Sequence, residues 1–113
     1  MSETTNTIDS SRCMIVGAGN IGLQLLGMLS RDLSLILVDA SAEALKRASE
    51  LRGNGLITHA GDATSRLVLE QAGIAGVDTV VITTSSETVN IEVARVIKDH
   101  FDIFIIHVFS PDL

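Results

Sequence analysis

Short apolar runs alternate with amphipathic stretches along almost the whole chain, with little sequence between them. The runs "RCMIVG" (12–17), "LSLILVD" (33–39), "GLITHAG" (55–61), "VDTVVITT" (77–84) and "DIFIIHVF" (102–109) predict five strands. They are continuous rather than alternating, the pattern of strands buried on both faces and covered by helices. The intervening stretches 20–30, 41–52, 64–73 and 86–100 predict helices. In the first, Ile21, Leu25, Leu26 and Leu29 recur at helical spacing; in the last, Val89, Val93, Val96 and Ile97 are expected to face inward. Ser41 and Thr64 are placed to cap their helices, and Gly53 and Gly73 to stop them. The sole proline, Pro111, follows the last strand. There is no internal repeat and no low-complexity segment.

Strand–helix alternation of this kind predicts an α/β fold: a Rossmann-like, doubly wound parallel sheet of five strands with helices on both faces. Right-handed crossovers and that class of sheet give the strand order 3-2-1-4-5. The 113 residues are expected to make one domain, or a piece of one. With three Phe and no Trp or Tyr, its core is aliphatic, and it lacks the stacking platforms of a single-stranded nucleic-acid binder. Net charge is −6 and the basic residues are scattered, so there is no footprint for nucleic acid or an anionic membrane surface. The single cysteine, Cys13, lies within the first apolar run and reads as a buried structural thiol in a reducing compartment. No apolar run approaches the length of a membrane span. Residues 1–11 are polar, without the apolar core of a signal peptide, and are expected to form a disordered leader ahead of a domain over 12–113. A soluble, cytoplasmic protein is the expectation.

The first strand is followed by "GAGNIG", with Gly17, Gly19 and Gly22 in strand–turn–helix context. A bare GxGxxG is a loose pattern; inside a βαβ unit each glycine acquires a task. Gly17 permits the tight turn, Gly19 lets the backbone approach a pyrophosphate, and Gly22 lets the helix sit close to the strand. The helix N-terminus beyond offers free N–H groups to an anion. Asp39 ends the second strand, 22 residues after Gly17, where a carboxylate accepts both hydroxyls of an adenosine ribose and repels a 2′-phosphate. That favours NAD(H) or an adenine nucleotide (AMP, ADP or ATP) over NADP.

Ligands of open parallel sheets bind beyond the carboxyl ends of the strands, where strand order reverses. "GDAT" (61–64) and "TTSSET" (83–88) fall there. Asp62 is placed to meet the adenine edge, or else to form a turn and cap with Thr64. The hydroxyls of Thr83, Thr84 and Ser85 are placed to reach the distal ribose or phosphates, or else to shape the start of the next helix. The candidate binding set is Gly17, Ala18, Gly19, Asn20, Ile21 and Gly22 of the first turn, with Asp39 and Ala40 after the second strand. Gly61, Asp62 and Ala63 join it from the third strand's end, and Thr83, Thr84 and Ser85 from the fourth's.

The glycine motif, the acidic strand end, "GDA" and the T-x-x-x-E-x-x-N pattern of Thr83, Glu87 and Asn90 together resemble the TrkA-N family, also called RCK or KTN domains, over about Arg12 to Val108. The resemblance implies a cytosolic, non-catalytic sensor of NAD(H) or adenine nucleotides. It also implies pairing into a homodimer or larger ring and control of a membrane potassium channel or transporter subunit, at the inner face of the membrane without insertion into it. It implies that Gly17, Gly19 and Gly22 hold phosphates, that Asp39 holds the adenosine ribose, that Asp62 and Ala63 lie near the adenine, and that Thr83 to Ser85 line the pocket floor. Asn20 stands where many members carry an arginine that neutralises phosphate, and "IIHVF" stands where many have "IARV". From the family pattern the domain is expected to lack its last helix and strand.

His59, His100 and His107 have no metal-site spacing. His100 reads as a helix end, His59 as a packed strand residue, and His107 as a residue near the ligand edge. The alternative to a sensor is the NAD-binding fragment of an oxidoreductase, which would need a catalytic domain elsewhere, since the chain has no tyrosine for a Tyr–Lys pair. A nucleotide-free interaction module on the same fold is a third reading.

Overall fold

The computed structural model describes residues 12–103 and 105–109; the expected leader over 1–11 and Pro111 lie outside them. The described chain runs β1 (Arg12–Val16), α1 (Asn20–Met28), β2 (Ser34–Asp39), α2 (Ala42–Arg52), β3 (Leu56–Ala60), α3 (Arg66–Ala72), a 3-10 turn (Ile74–Gly76), β4 (Thr79–Ile82), α4 (Glu87–His100) and β5 (Ile105–Val108). All neighbouring strands are parallel and the order is β3-β2-β1-β4-β5.

Alternation along each strand sorts the core into two layers. Ile15, Leu35 and Leu37 pack under Leu26 of α1 and Ala44, Leu45 and Ala48 of α2. Met14, Val16, Val38, Val80 and Ile82 pack on the other face under Leu69, Ile74, Val93 and Ile97. Right-handed crossovers explain the division: the chain moves one way from β1 to β3 and the other way from β3 to β5, so α1–α2 and α3–α4 take opposite faces. Burial on both faces holds for β1 and β2; β4 is buried through Val80 and Ile82 on one face and only half-buried through Thr79 and Val81 on the other. Such burial does not hold for β3, where Ile57 is 63% exposed, because an edge strand has a neighbour on one side only.

Helix ends follow local chemistry. Ser41 Oγ accepts from the Ala44 N–H, and Gly53 closes α2 with φ 75°. The cap of α3 is Ser65 rather than Thr64. Thr64 is already taken, because its N–H and hydroxyl both donate to Asp62 Oδ1.

Arg52 joins α2 to α1. The residue is 2% exposed. Nη1 donates to the carbonyls of Leu26 (2.9 Å) and Leu29 (3.0 Å), and Nη2 to that of Ser30 (2.5 Å). These are carbonyls at and just beyond the C-terminal end of α1, where a cation also suits the helix dipole. Burial, and then the Arg31 charge, pushes its pKa down. Arg52→Met is expected to lower stability by about 3 kcal/mol, since buried carbonyls lose charge-assisted partners; urea unfolding at constant m-value measures this. A midpoint equal to wild type would show that water replaces the clamp. Cys13 is half-buried and burial raises its thiol pKa, leaving a poorly reactive thiol at neutral pH.

Candidate functional site

Val16, Val38 and Ile82 stand at one level across β2, β1 and β4. Beyond that level the loops after β1 and β4 part in opposite directions and leave a cleft. It holds two adjoining cavities that share Gly17, Asp39 and Thr84. The one over the helix start is about 370 Å³ and is bordered by Gly19, Asn20, Ile21, Thr83 and Ser85. The one over β2 and β3 is about 210 Å³ and is bordered by Ala40, Gly61, Asp62, Ala63 and Val89. Twelve of the fourteen candidate residues therefore line one opening. Ala18 and Gly22 do not line it; both are buried beneath the turn.

The three motif glycines differ in what they touch. Gly17 has φ +112°, and a Cβ there would meet the Thr83 carbonyl carbon and the Thr84 nitrogen, each at 2.9 Å. A Cβ on Gly22 would lie 2.0 Å from the Gly17 carbonyl oxygen, so the helix rests directly on the turn. Gly19 has φ −82°, which any residue adopts, and a Cβ there would meet nothing within 4 Å. Among the described residues, no contact requires glycine at position 19.

The helix start is electrostatically open. Among the described α-helices, α2, α3 and α4 are each capped by a serine side chain, whereas α1 has no side-chain cap and no acidic residue in its first turn. Its first N–H groups carry the positive end of the helix dipole toward the cleft. Asp39 sits beside them and is anchored at both oxygens: Ala18 N–H donates to Oδ2 (2.7 Å) and Ser41 N–H to Oδ1 (2.8 Å). A carboxylate offers about four lone-pair sites, so acceptor capacity remains for ligand hydroxyls.

Thr83 and Thr84 line the cleft with their backbones while their hydroxyls turn inward. Thr83 is 4% exposed, with Oγ1 at 3.2 Å from both the Val16 and Gly17 carbonyl oxygens. The Thr84 hydroxyl faces Asn90 Oδ1 and the Ser86 carbonyl. Ser85 is exposed at the rim. The Asp62 carboxyl is held below the usual carboxylate range by the Thr64 N–H and then the Thr64 hydroxyl, so this side chain closes its own loop at the cleft edge. Val89, expected inward, is 37% exposed and borders the cleft. It sits in the first turn of α4, past the ends of the strands. Hydrophobic spacing alone did not separate it from Val93 and Ile97.

His107 borders neither cavity. It pairs in register with Val81 and faces a separate apolar cavity of about 450 Å³ with Cys13, Leu25 and Leu29, on the side of the sheet that α1 and α2 leave open over β4 and β5. Among the described residues, no group of three or more His, Cys, Asp or Glu is placed to hold a metal ion. Nor is any described helix long and apolar enough to cross a membrane.

A doubly wound sheet with a glycine turn, an uncapped helix start and an acidic β2 end defines a Rossmann-type domain. The TrkA-N domain profile matches residues 13–110, and the chain belongs to that family. It is 32% identical over 87 residues to the Trk system potassium uptake protein TrkA of Vibrio alginolyticus, a match covering 77% of this chain and 19% of that protein. It is 34% identical over 83 residues to TrkA of Halomonas elongata, covering 74% of this chain and 18% of that protein. The chain thus spans about a fifth of the length of these relatives. Among solved structures, the NAD(P)-binding domain of an exopolyphosphatase-related protein from Archaeoglobus fulgidus superposes with TM-score 0.71 at 22% identity, covering 88% of this chain and 74% of that one. A short-chain dehydrogenase/reductase from Saccharomyces cerevisiae superposes with TM-score 0.61 at 18% identity, covering 78% and 46%. At these identities the structural likeness is one of fold.

Proposed function

We propose that this domain is a regulatory sensor that binds NAD(H) or an adenine nucleotide across the glycine turn. In this reading its occupancy controls a potassium channel or transporter from the cytoplasmic side, within a homodimer or larger ring. The observation that carries the ligand is Gly19, a glycine with ordinary backbone angles and open space where its Cβ would be, at the mouth of an uncapped helix. A phosphate resting on the α1 N–H groups needs that space and gains from the dipole. Asp39, one turn away, accepts the ribose hydroxyls and disfavours a 2′-phosphate. The family membership and the TrkA relatives support the regulatory role. The mechanism is differential binding: a nucleotide that fits one arrangement of the assembly better shifts the gate by its difference in affinity.

Asp39→Ala is expected to weaken adenine-nucleotide binding by about tenfold, or about 1.4 kcal/mol, read by calorimetry. NADH is expected to lose its advantage over NADPH in the same variant. Equal affinities in wild type and variant would take Asp39 out of the site.

A further inference from the structure

The family pattern ends in an asparagine, Asn90, to which neither sequence spacing nor the proposed ligand assigns a task. Its side chain is fully buried (0% exposed) in α4, behind the cleft. The Thr84 N–H donates to Oδ1 at 3.1 Å, and the Thr84 hydroxyl faces the same oxygen. Nδ2 donates to the Thr84 carbonyl at 3.1 Å and to the Phe109 carbonyl at 2.9 Å. Both amide hydrogens and both oxygen lone pairs are thereby used. Aspartate lacks the two donors, and an apolar side chain leaves buried backbone groups unpaired.

What Asn90 connects is specific. Thr84 borders both cavities of the cleft, and its nitrogen is where a Cβ on Gly17 would strike. Phe109 follows β5, and its own N–H donates to the Ile82 carbonyl at 2.9 Å. Val108 and Phe109 are 45% and 41% exposed, an apolar tip open to a contact.

We propose, building on the nucleotide reading above, that Asn90 is a positioning residue that couples occupancy of the cleft to the end of β5. A ligand seated on the glycine turn presses on the Thr83–Thr84 peptide. Asn90 holds both backbone groups of Thr84 and passes their position to the Phe109 carbonyl. Fixing Thr84 therefore fixes the strand end, and a contact that fixes the strand end reciprocally tightens the site.

The test is amide hydrogen exchange on the 113-residue chain with NADH as probe. In wild type, NADH is expected to slow exchange at 17–21 and also, by about fivefold, at 106–109. In Asn90→Ala the slowing at 17–21 remains while that at 106–109 disappears. A residue that only stabilised the fold would change both segments alike. Absence of slowing at 106–109 in wild type with NADH bound overturns the coupling, as does its persistence in the folded variant. The wild-type Asn90 side-chain amide resonance reads the same link without any substitution: it is expected to shift with the Phe109 amide on NADH addition, and an unmoved resonance overturns the proposal. If neither NADH nor ADP binds wild type by calorimetry, the nucleotide reading itself fails and the coupling fails with it.

Discussion

Gly22→Ala is expected to destabilise the domain by about 3 kcal/mol or more, a larger effect than ordinary core overpacking. The added methyl would lie 2.0 Å from the Gly17 carbonyl oxygen. The methyl has no rotamers and its partner is backbone, so no rotamer change relieves the clash. Either α1 lifts from the turn, losing the packing of Leu26 beside Ile15 and Ala18, or the Gly17 turn distorts against Thr83. In a domain of this size, a loss of that order lowers Tm by roughly 15 °C. Thermal unfolding followed by circular dichroism measures it. A Tm within about 2 °C of wild type would mean that the helix does not rest on the turn as described.

Gly19→Val is expected to do the opposite: leave the fold in place and remove the ligand. The valine side chain enters open space at a backbone conformation it tolerates. Replacing glycine by valine at a helix N-cap costs about 1 kcal/mol. In the cleft, the branched side chain occupies the place of a phosphate over the α1 N–H groups. Adenine-nucleotide affinity is expected to fall by about a hundredfold, equivalent to about 2.7 kcal/mol. Paired Tm and calorimetric measurements separate the two effects. A folded variant that binds as wild type does would move the ligand off the glycine turn. On the proposed reading, the two glycines divide one motif between folding and binding.

Much of this was legible in the sequence because the relevant signals are local. Apolar runs of strand length, helices between them, right-handed crossovers and the glycine turn of a Rossmann-type sheet lead to the order β3-β2-β1-β4-β5. The turn after β1 was legible for the same reason, since its glycines and Asp39 lie within one βαβ unit. What escaped was decided by competition or distance. Thr64 and Ser65 are both good caps, and the Asp62 loop, by engaging Thr64, left the cap to Ser65. Val89 and Val93 share a helical face, but only Val93 lies over the sheet. Arg52 reads in sequence as a surface charge at a helix end; its carbonyl partners lie 22 to 26 residues away in the chain. Asn90 draws its partners from six and nineteen residues away, so its role depended on how β4, α4 and β5 meet.

The measurement that bears most directly on the central claim is a calorimetric titration of the wild-type chain with NADH, NADPH, ADP and ATP in turn. With no Trp or Tyr, the protein offers little intrinsic fluorescence, and heat is a direct signal. The account predicts saturable binding of NADH or an adenine nucleotide at one site per chain, with NADPH weaker than NADH because Asp39 faces the 2′ position. No heat of binding from any of the four would contradict it, leaving a TrkA-N fold whose glycine turn serves no nucleotide.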